Sequence, residues 1–305
     1  MAIGPRNYVF VGINKMLTQR LHRFSRFFQY HDVGVYVRIY FHAMKNIAVL
    51  VDYTEGCKLA LQQTRVLAEL AGAHVHVLNV TSNDINEDEH ARLAAFSSEQ
   101  LGHSIPMDTH LADGRLMTAL TETLESMNPD LIVLCTHGVK GLVQHLFGAR
   151  ILALVQSLDK SFLVVHENTA VREEGFAKIL FPATHSSVAS VLIHQVMTLA
   201  AECDSEVVFY EIDKYVGDVE GEIQQNFEAA KKIFKAKGIR FSHVKEEVNN
   251  HSMGYARQTL NYAAENGIGL IATPSEVVDN GFLMMKSDKE MLLTNSQGVP
   301  VLACG

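Results

Sequence analysis

The chain has 305 residues, of which 48% are apolar and 20% are charged, a composition typical of a folded globular protein with room for two domains. The formal net charge of −8 disfavours nucleic acid and anionic membranes as partners. No stretch reaches the roughly 18 consecutive apolar residues of a membrane span. The four cysteines are scattered without a CxxC pair, which indicates a reducing compartment and predicts a cytoplasmic protein.

The first 43 residues differ in charge from the rest of the chain. They contain six basic residues and one acidic residue, a balance of 6 − 1 = +5, so the remainder carries −8 − 5 = −13. A targeting peptide or a surface-binding helix has a similar composition. Because the first clear strand follows Met44, we expect residues 1–43 to be a basic N-terminal extension outside the fold.

Strands and helices alternate from Met44 onward. In the first half, apolar runs predict strands at 46–51, 74–80, 106–112, 131–135 and 161–165. Apolar residues at helical spacing predict helices at 56–72, 87–102 and 115–127, and a further helix that begins at Gly148. Gly72 is expected to end the first of these helices.

The second half repeats this order. It is predicted to have strands at 178–183, 206–212, 239–247, 270–274 and 300–304, and helices at 186–202, 219–237 and 253–265. The segment 273–290 is predicted to be a loop. The first strand–helix–strand unit recurs with a shift of about 131 residues, which indicates an internal repeat. We therefore divide the chain into a first domain (44–168), a linker (169–177) and a second domain (178–305).

This alternation defines the fold class. Strands separated by helices of ten or more residues need crossover connections, and such strands form parallel sheets covered on both faces. The sequence therefore predicts an α/β protein with two tandem five-stranded parallel-sheet domains and helices on both faces. In a sheet of this kind a ligand binds beyond the carboxyl ends of the strands, between the first and the fourth strand.

Three features of the first half converge on that crevice. Asp52 ends the first strand, Cys135 ends the fourth, and the helix start at Gly148 offers free backbone N–H groups to an anion. The spacing after the fourth strand is Cys135-x2-Gly138-x9-Gly148-Ala149. The amides of Gly138 and Gly148 are candidate anion donors, although two glycines can also serve only a tight turn and close helix packing.

On these residues the chain resembles the universal stress protein family, in a tandem two-domain form. The resemblance covers nearly all of residues 44–305, strongly in the first half and by pattern in the second. It implies an adenine-nucleotide-hydrolase-like fold with strand order 3-2-1-4-5. It also implies ATP or AMP as the candidate ligand, with Asp52 near the base.

The nucleotide-binding branch of that family carries G-x2-G-x9-G-[S/T], and this chain departs from it twice. Cys135 replaces the first glycine and crowds the place where the family's backbone approaches the sugar. Ala149 replaces the final Ser or Thr and removes a phosphate donor worth on the order of 1 kcal/mol. We expect weakened or absent nucleotide binding in the first domain. The second domain retains only Gly281 of the motif, and we expect it to be a structural or dimer-forming partner.

The leading interpretation is a stress-response binding or regulatory protein that is not an enzyme. Two alternatives stay open: a slow nucleotide hydrolase or adenylyl-transfer relative on the same fold, and a purely structural, chaperone-like dimer. The resemblance further implies an internal pseudo-dimer joined through the strands 161–165 and 300–304, and it leaves room for a homodimer. No catalytic residue is assigned.

Histidines and a cysteine on the predicted strands are candidates for metal binding and for thiol chemistry. His74 and His76 share one face of the second strand, a spacing that can ligate a metal. No third ligand is evident from the spacing, so packing or hydrogen bonding against the neighbouring helix is favoured and no metal site is assigned. Cys135 is expected to be an inert buried cysteine and not a thiol sensor.

Overall fold

The strands of the first half coincide with the apolar runs of the sequence. They are β1 (Asn46–Leu50), β2 (His74–Thr81), β3 (Met107–Asp113), β4 (Leu131–Thr136) and β5 (Phe162–His166). Every residue of β4 and β5 is buried, as expected of strands covered on both faces of a sheet. The computed structural model describes residues 44–81, 85–136, 149–182, 186–212, 220–247, 254–275 and 286–305.

Four helices connect these strands and cover the sheet. They are α1 (Glu55–Ala71), α2 (Glu87–Leu101), α3 (Leu116–Met127) and α4 (Ala149–Ser157). The hydroxyl of Thr54 caps α1 by accepting the Cys57 N–H at 3.4 Å. Gly72 ends α1 in the left-handed region with φ 62°, as predicted.

The second half has the same order of elements. Its strands are β6 (Lys178–Pro182), β7 (Glu206–Ile212), β8 (Arg240–Glu246), β9 (Leu270–Pro274) and β10 (Val301–Cys304). Its helices are α5 (Ser186–Glu202), α6 (Glu220–Ala236), α7 (Tyr255–Glu265) and α8 (Lys286–Leu293). No described helix combines the length and the apolarity that crossing a bilayer requires.

Helix α8 corrects the sequence analysis, which assigned residues 273–290 to a loop. The first turn of α8 reads KSDKE, so its apolar side chains are concentrated at the end of the helix and no helical spacing is visible in the sequence. Leu292 and Leu293 are buried, and α8 contacts both α7 and α4. Tertiary packing therefore forms a helix where the local sequence favours polar loop.

The ten strands form one sheet in the order β3-β2-β1-β4-β5-β10-β9-β6-β7-β8. Each half keeps the order 3-2-1-4-5 with parallel neighbours, which confirms the predicted α/β fold class. The halves meet where β5 and β10 pair antiparallel, with Val301 opposite Val164 and Ala303 opposite Phe162. The predicted contact between the segments 161–165 and 300–304 is thus present, and the two sheets continue into each other.

A buried polar network reinforces this junction. The side-chain nitrogen of Asn295, which follows α8, lies 2.9 Å from Nε2 of His166. Nδ1 of His166 lies 2.7 Å from the hydroxyl oxygen of Thr136. Burial lowers the pKa of His166 to about 4, so the ring is neutral at pH 7. One neutral histidine therefore joins β4 and β5 to the second half.

Candidate functional site

The carboxyl ends of β1 and β4 lie side by side and hold the first two predicted site residues. β1 and β4 are neighbours in the sheet, with Val49 paired to Val133. Asp52 follows the end of β1, and Cys135 is the penultimate residue of β4. β1 and β4 thus lie side by side where the ligand crevice was predicted. In a sheet of this topology, the chain segments that follow two such strands diverge to opposite faces of the sheet.

The start of α1 orients the carboxylate of Asp52. Oδ1 of Asp52 accepts the Thr54 hydroxyl at 2.6 Å and the Thr54 N–H at 3.2 Å. The Cys57 thiol donates to the same oxygen, while the Asp52 N–H donates to Cys57 Sγ at 3.0 Å. The acidic group at the crevice is therefore held in one orientation by the helix that follows it.

Cys57 is a residue of this site that sequence reasoning missed. Burial and the adjacent Asp52 carboxylate raise the pKa of its thiol to about 12. The thiol thus stays protonated and serves as a hydrogen-bond donor to Asp52. Its position in the first turn of the helix after Asp52 was the available signal.

Cys135 is buried at the carboxyl end of β4, with 7% of its surface exposed. Burial raises the pKa of this thiol, and electrostatic interactions with Cys57, Glu167 and Asp52 raise it further. A protonated, enclosed thiol fills space and is unreactive, which agrees with the expected inert cysteine.

Tyr53 is a second residue that the sequence analysis missed. Its backbone is in the left-handed region with φ 62°, a conformation uncommon for a bulky side chain and frequent at functional sites. The ring packs edge-on against Phe96 at 5.3 Å, with the Arg92 guanidinium 4.1 Å from its centre. The Tyr53 hydroxyl is buried and has no hydrogen-bond partner among the described residues.

The comparisons with known proteins agree with this geometry. The sequence model of the universal stress protein family matches residues 44–166, which include β1 to β5 and the crevice. Residues 44–166 form a universal stress protein domain. No curated protein sequence matches the chain.

Solved structures extend the likeness in fold to both halves. A universal stress protein from Archaeoglobus fulgidus DSM 4304 is 13% identical with a TM-score of 0.63, over 86% of this chain and 99% of that one. A protein of unknown function from Pseudomonas aeruginosa PAO1 is 16% identical with a TM-score of 0.61, over 86% and 92%. A putative universal stress protein from Pseudomonas aeruginosa UCBPP-PA14 is 17% identical with a TM-score of 0.58, over 86% and 93%. The fold of both halves is thus shared with these three structures.

The remaining motif positions of the universal stress protein domain are only partly described. Ala149 is the first described residue of α4, and it is helical. Gly138 and Gly148 lie outside the described residues, and their role as anion donors stays a prediction. The structure therefore brings together Asp52 and Cys135 and leaves the two glycines untested.

The second half has different chemistry at the equivalent of Cys135. Ile47 of β1 pairs with Leu131, and Ile179 of β6 pairs with Leu270, so that Cys135 corresponds to Pro274. Proline has no N–H that could donate to a ligand. Its ring also occupies space that is free where the family motif has glycine. Gly281 lies outside the described residues.

Within the described residues, His74 and His76 of β2 do not make the hydrogen bonds to a neighbouring helix that the sequence analysis favoured. Nε2 of His74 lies 2.9 Å from Oδ2 of Asp108, and Nδ1 of His76 lies 3.2 Å from Nε2 of His110. The hydrogen-bond partners are thus on β3, a neighbouring strand, and not on a helix. The spacing in the sequence could not show Asp108, because the register of β2 and β3 brings this residue, 34 positions away in the chain, next to His74.

Proposed function

We propose that the chain is a stress-response binding protein whose first half has a weakened adenine-nucleotide site. The match of residues 44–166 to the universal stress protein family model supports this role. The proposed ligand is ATP or AMP, bound across the carboxyl ends of β1 and β4. In this role the chain reports or buffers nucleotide and does not turn it over.

The observation that carries the proposal is the Cys135 side chain at the end of β4. Where the nucleotide-binding motif needs bare backbone, this chain has a buried side chain at the carboxyl end of β4, next to the strand that leads to Asp52. A nucleotide that occupies this crevice has to displace the thiol or bind further from the strand. Both options reduce the free energy of binding.

Other features at the crevice support a site that is weakened and not lost. Asp52 keeps an oriented carboxylate through Thr54 and Cys57. Tyr53 keeps a left-handed backbone, and its buried hydroxyl has no hydrogen-bond partner within the described part of the chain. Groups of this kind cluster at ligand sites.

We also propose that the two halves act as an internal pseudo-dimer. Support comes from the antiparallel pairing of β5 with β10 and from the His166 network across it. The pairing covers the edge of each half, which removes an unpaired strand edge. A further homodimer is then not needed to protect that edge.

ATP titrated by calorimetry into the wild type and into the double variant Cys135→Gly, Ala149→Ser tests the nucleotide site. We expect weak or undetectable binding by the wild type. The variant is expected to gain about 2–3 kcal/mol, roughly a thirtyfold to hundredfold in affinity, because glycine frees the backbone approach and serine restores a phosphate donor.

Matched controls assign the gain to this crevice. The single variants divide the effect between the two positions, and Asp52→Ala in the double-variant background is expected to remove it. Tight binding by the wild type contradicts the proposed weakening. Absence of binding by both proteins favours the purely structural dimer, and steady release of phosphate from ATP favours the slow hydrolase.

A further inference from the structure

Four polar side chains meet on the outer strands β2 and β3, away from the nucleotide crevice. They are His74, His76, Asp108 and His110. One coordinating atom each from His74, His76 and Asp108 lies within 4.8 Å of the others. His74 and Asp108 lie at the beginning of their strands, whereas Asp52 and Cys135 lie at the carboxyl ends of β1 and β4.

The geometry is close to that of a metal site. Zinc binds histidine nitrogen at about 2.0–2.1 Å, so two ligand atoms on one tetrahedral ion are about 3.3 Å apart. The His74–Asp108 contact is 2.9 Å, and the whole set lies within 4.8 Å. Small side-chain rotations are enough to place the three atoms around one ion.

The second half shows that the fold does not need these residues. Asn46 pairs with His74 and Lys178 with Glu206, so His74 corresponds to Glu206 and His76 to Val208. By the pairing of the outer strands, Asp108 corresponds to Ser242 and His110 to Val244. At the equivalent place in the second half, Ser242 donates to Glu206 at 2.6 Å, and valines replace the other two histidines. The histidines of the first half therefore need another explanation than sheet stability.

The exposure of the cluster also suits a cation. The side chains of His74 and Asp108 are 35% and 62% exposed, which leaves an entry path for an ion. Neutral imidazoles beside a carboxylate are the donor set that zinc-class ions prefer.

We propose that His74, His76 and Asp108 bind a divalent transition-metal ion of the zinc class, with His110 as a positioning residue. The hydrogen bond between Nδ1 of His76 and Nε2 of His110 leaves Nε2 of His76 for the metal. His110 orients the ring in the way that outer partners of metal-bound histidines do. The ion fastens β3, the outermost strand of the first half, to β2.

Zinc titrated into the full chain without an affinity tag tests this site. We expect one Zn²⁺ per chain to bind at the cluster, with a rise in melting temperature, because the ion binds the folded state. His76→Val is the decisive variant, since Val208 shows that valine fits this sheet position. We expect it to lower zinc affinity by more than about a hundredfold, and His110→Val to lower it by about tenfold to a hundredfold.

The controls separate the site from other histidines of the chain. His103→Gln changes an exposed histidine outside the cluster and is expected to leave affinity unchanged. Melting of each variant in the presence of EDTA confirms that its fold is kept. Cobalt(II) is a second probe. We expect the wild type to bind it with the visible absorption of a site of low coordination number, and His76→Val to lack this absorption. Equal zinc affinity in the wild type and in His76→Val overturns the proposal, and so does the absence of zinc binding by the wild type.

Discussion

His166 makes the stability of the protein depend on pH. Its pKa is lowered to about 4 in the fold, whereas an exposed histidine titrates near 6.5. Between these values the unfolded state binds more protons, so stability is fully present above about pH 6.5 and falls as pH decreases toward 4. The burial of one neutral ring thus penalises folding in acid.

We predict that His166→Gln flattens this dependence. The wild type is expected to lose about 2 kcal/mol more unfolding free energy than the variant between pH 7 and pH 5, as follows from linkage with the pKa values above. Urea unfolding at both pH values measures the difference. His103→Gln, an exposed histidine, should behave as the wild type, and parallel pH profiles for wild type and His166→Gln would contradict the assignment.

At the residue scale, the sequence predicted that Asp52 and Cys135 follow neighbouring strands, but it did not show the side chains around them. Asp52 and Cys135 were predictable because each follows an apolar run that ends at the same edge of a parallel sheet. Tyr53 was not predictable, because its role depends on a left-handed backbone and on contacts with α2. Asp108 was missed because its proximity to His74 depends on strand register, which no local spacing contains.

At the scale of elements, the turn into β10 depends on one glycine. Gly298 has φ 75°, and a Cβ at this position would lie 2.6 Å from Oδ1 and 2.8 Å from the backbone oxygen of Asn168. Its carbonyl accepts the Thr169 hydroxyl at 3.0 Å. The turn therefore combines a conformation that favours glycine with a close approach between the two halves.

We predict that Gly298→Ala destabilises the protein by clearly more than about 1 kcal/mol, because conformational strain and a backbone clash act together. Gly267→Ala is the matched control. Gly267 has a similar φ of 67° with nothing within 4 Å of the added Cβ, so only the strain term applies there. Chemical denaturation of the two variants gives the comparison, and equal losses would show that the clash is relieved.

The elements themselves were largely predictable, and the exception has a physical cause. All ten strands overlap the segments predicted as strands, and the fully buried β4 and β5 follow continuous apolar runs. Helix α8 forms in a segment whose first turn is polar, because α4 and α7 provide a surface for its last residues. A helix stabilised chiefly by its neighbours carries a weak signal in its own sequence.

At the scale of the whole molecule, the fold described from Met44 has its own continuous sheet and core. Each of the ten strands lies between residues 46 and 304. We predict that a chain beginning at Met44 melts within a few degrees of the full chain, because residues 1–43 are expected to contribute little stability. Calorimetric melting of both chains measures this, and a loss of more than a few degrees on truncation would place the segment on the core.

The antiparallel joint between β5 and β10 has a consequence for how the protein is made. Val164 and Val301 are paired in the sheet but are 301 − 164 = 137 residues apart in the chain. At synthesis rates of about 5–20 residues per second, the apolar edge of β5 waits roughly 7–30 s for its partner. During that interval a second nascent chain can supply the missing strand, so a strand-swapped dimer is the misassembly that this topology favours.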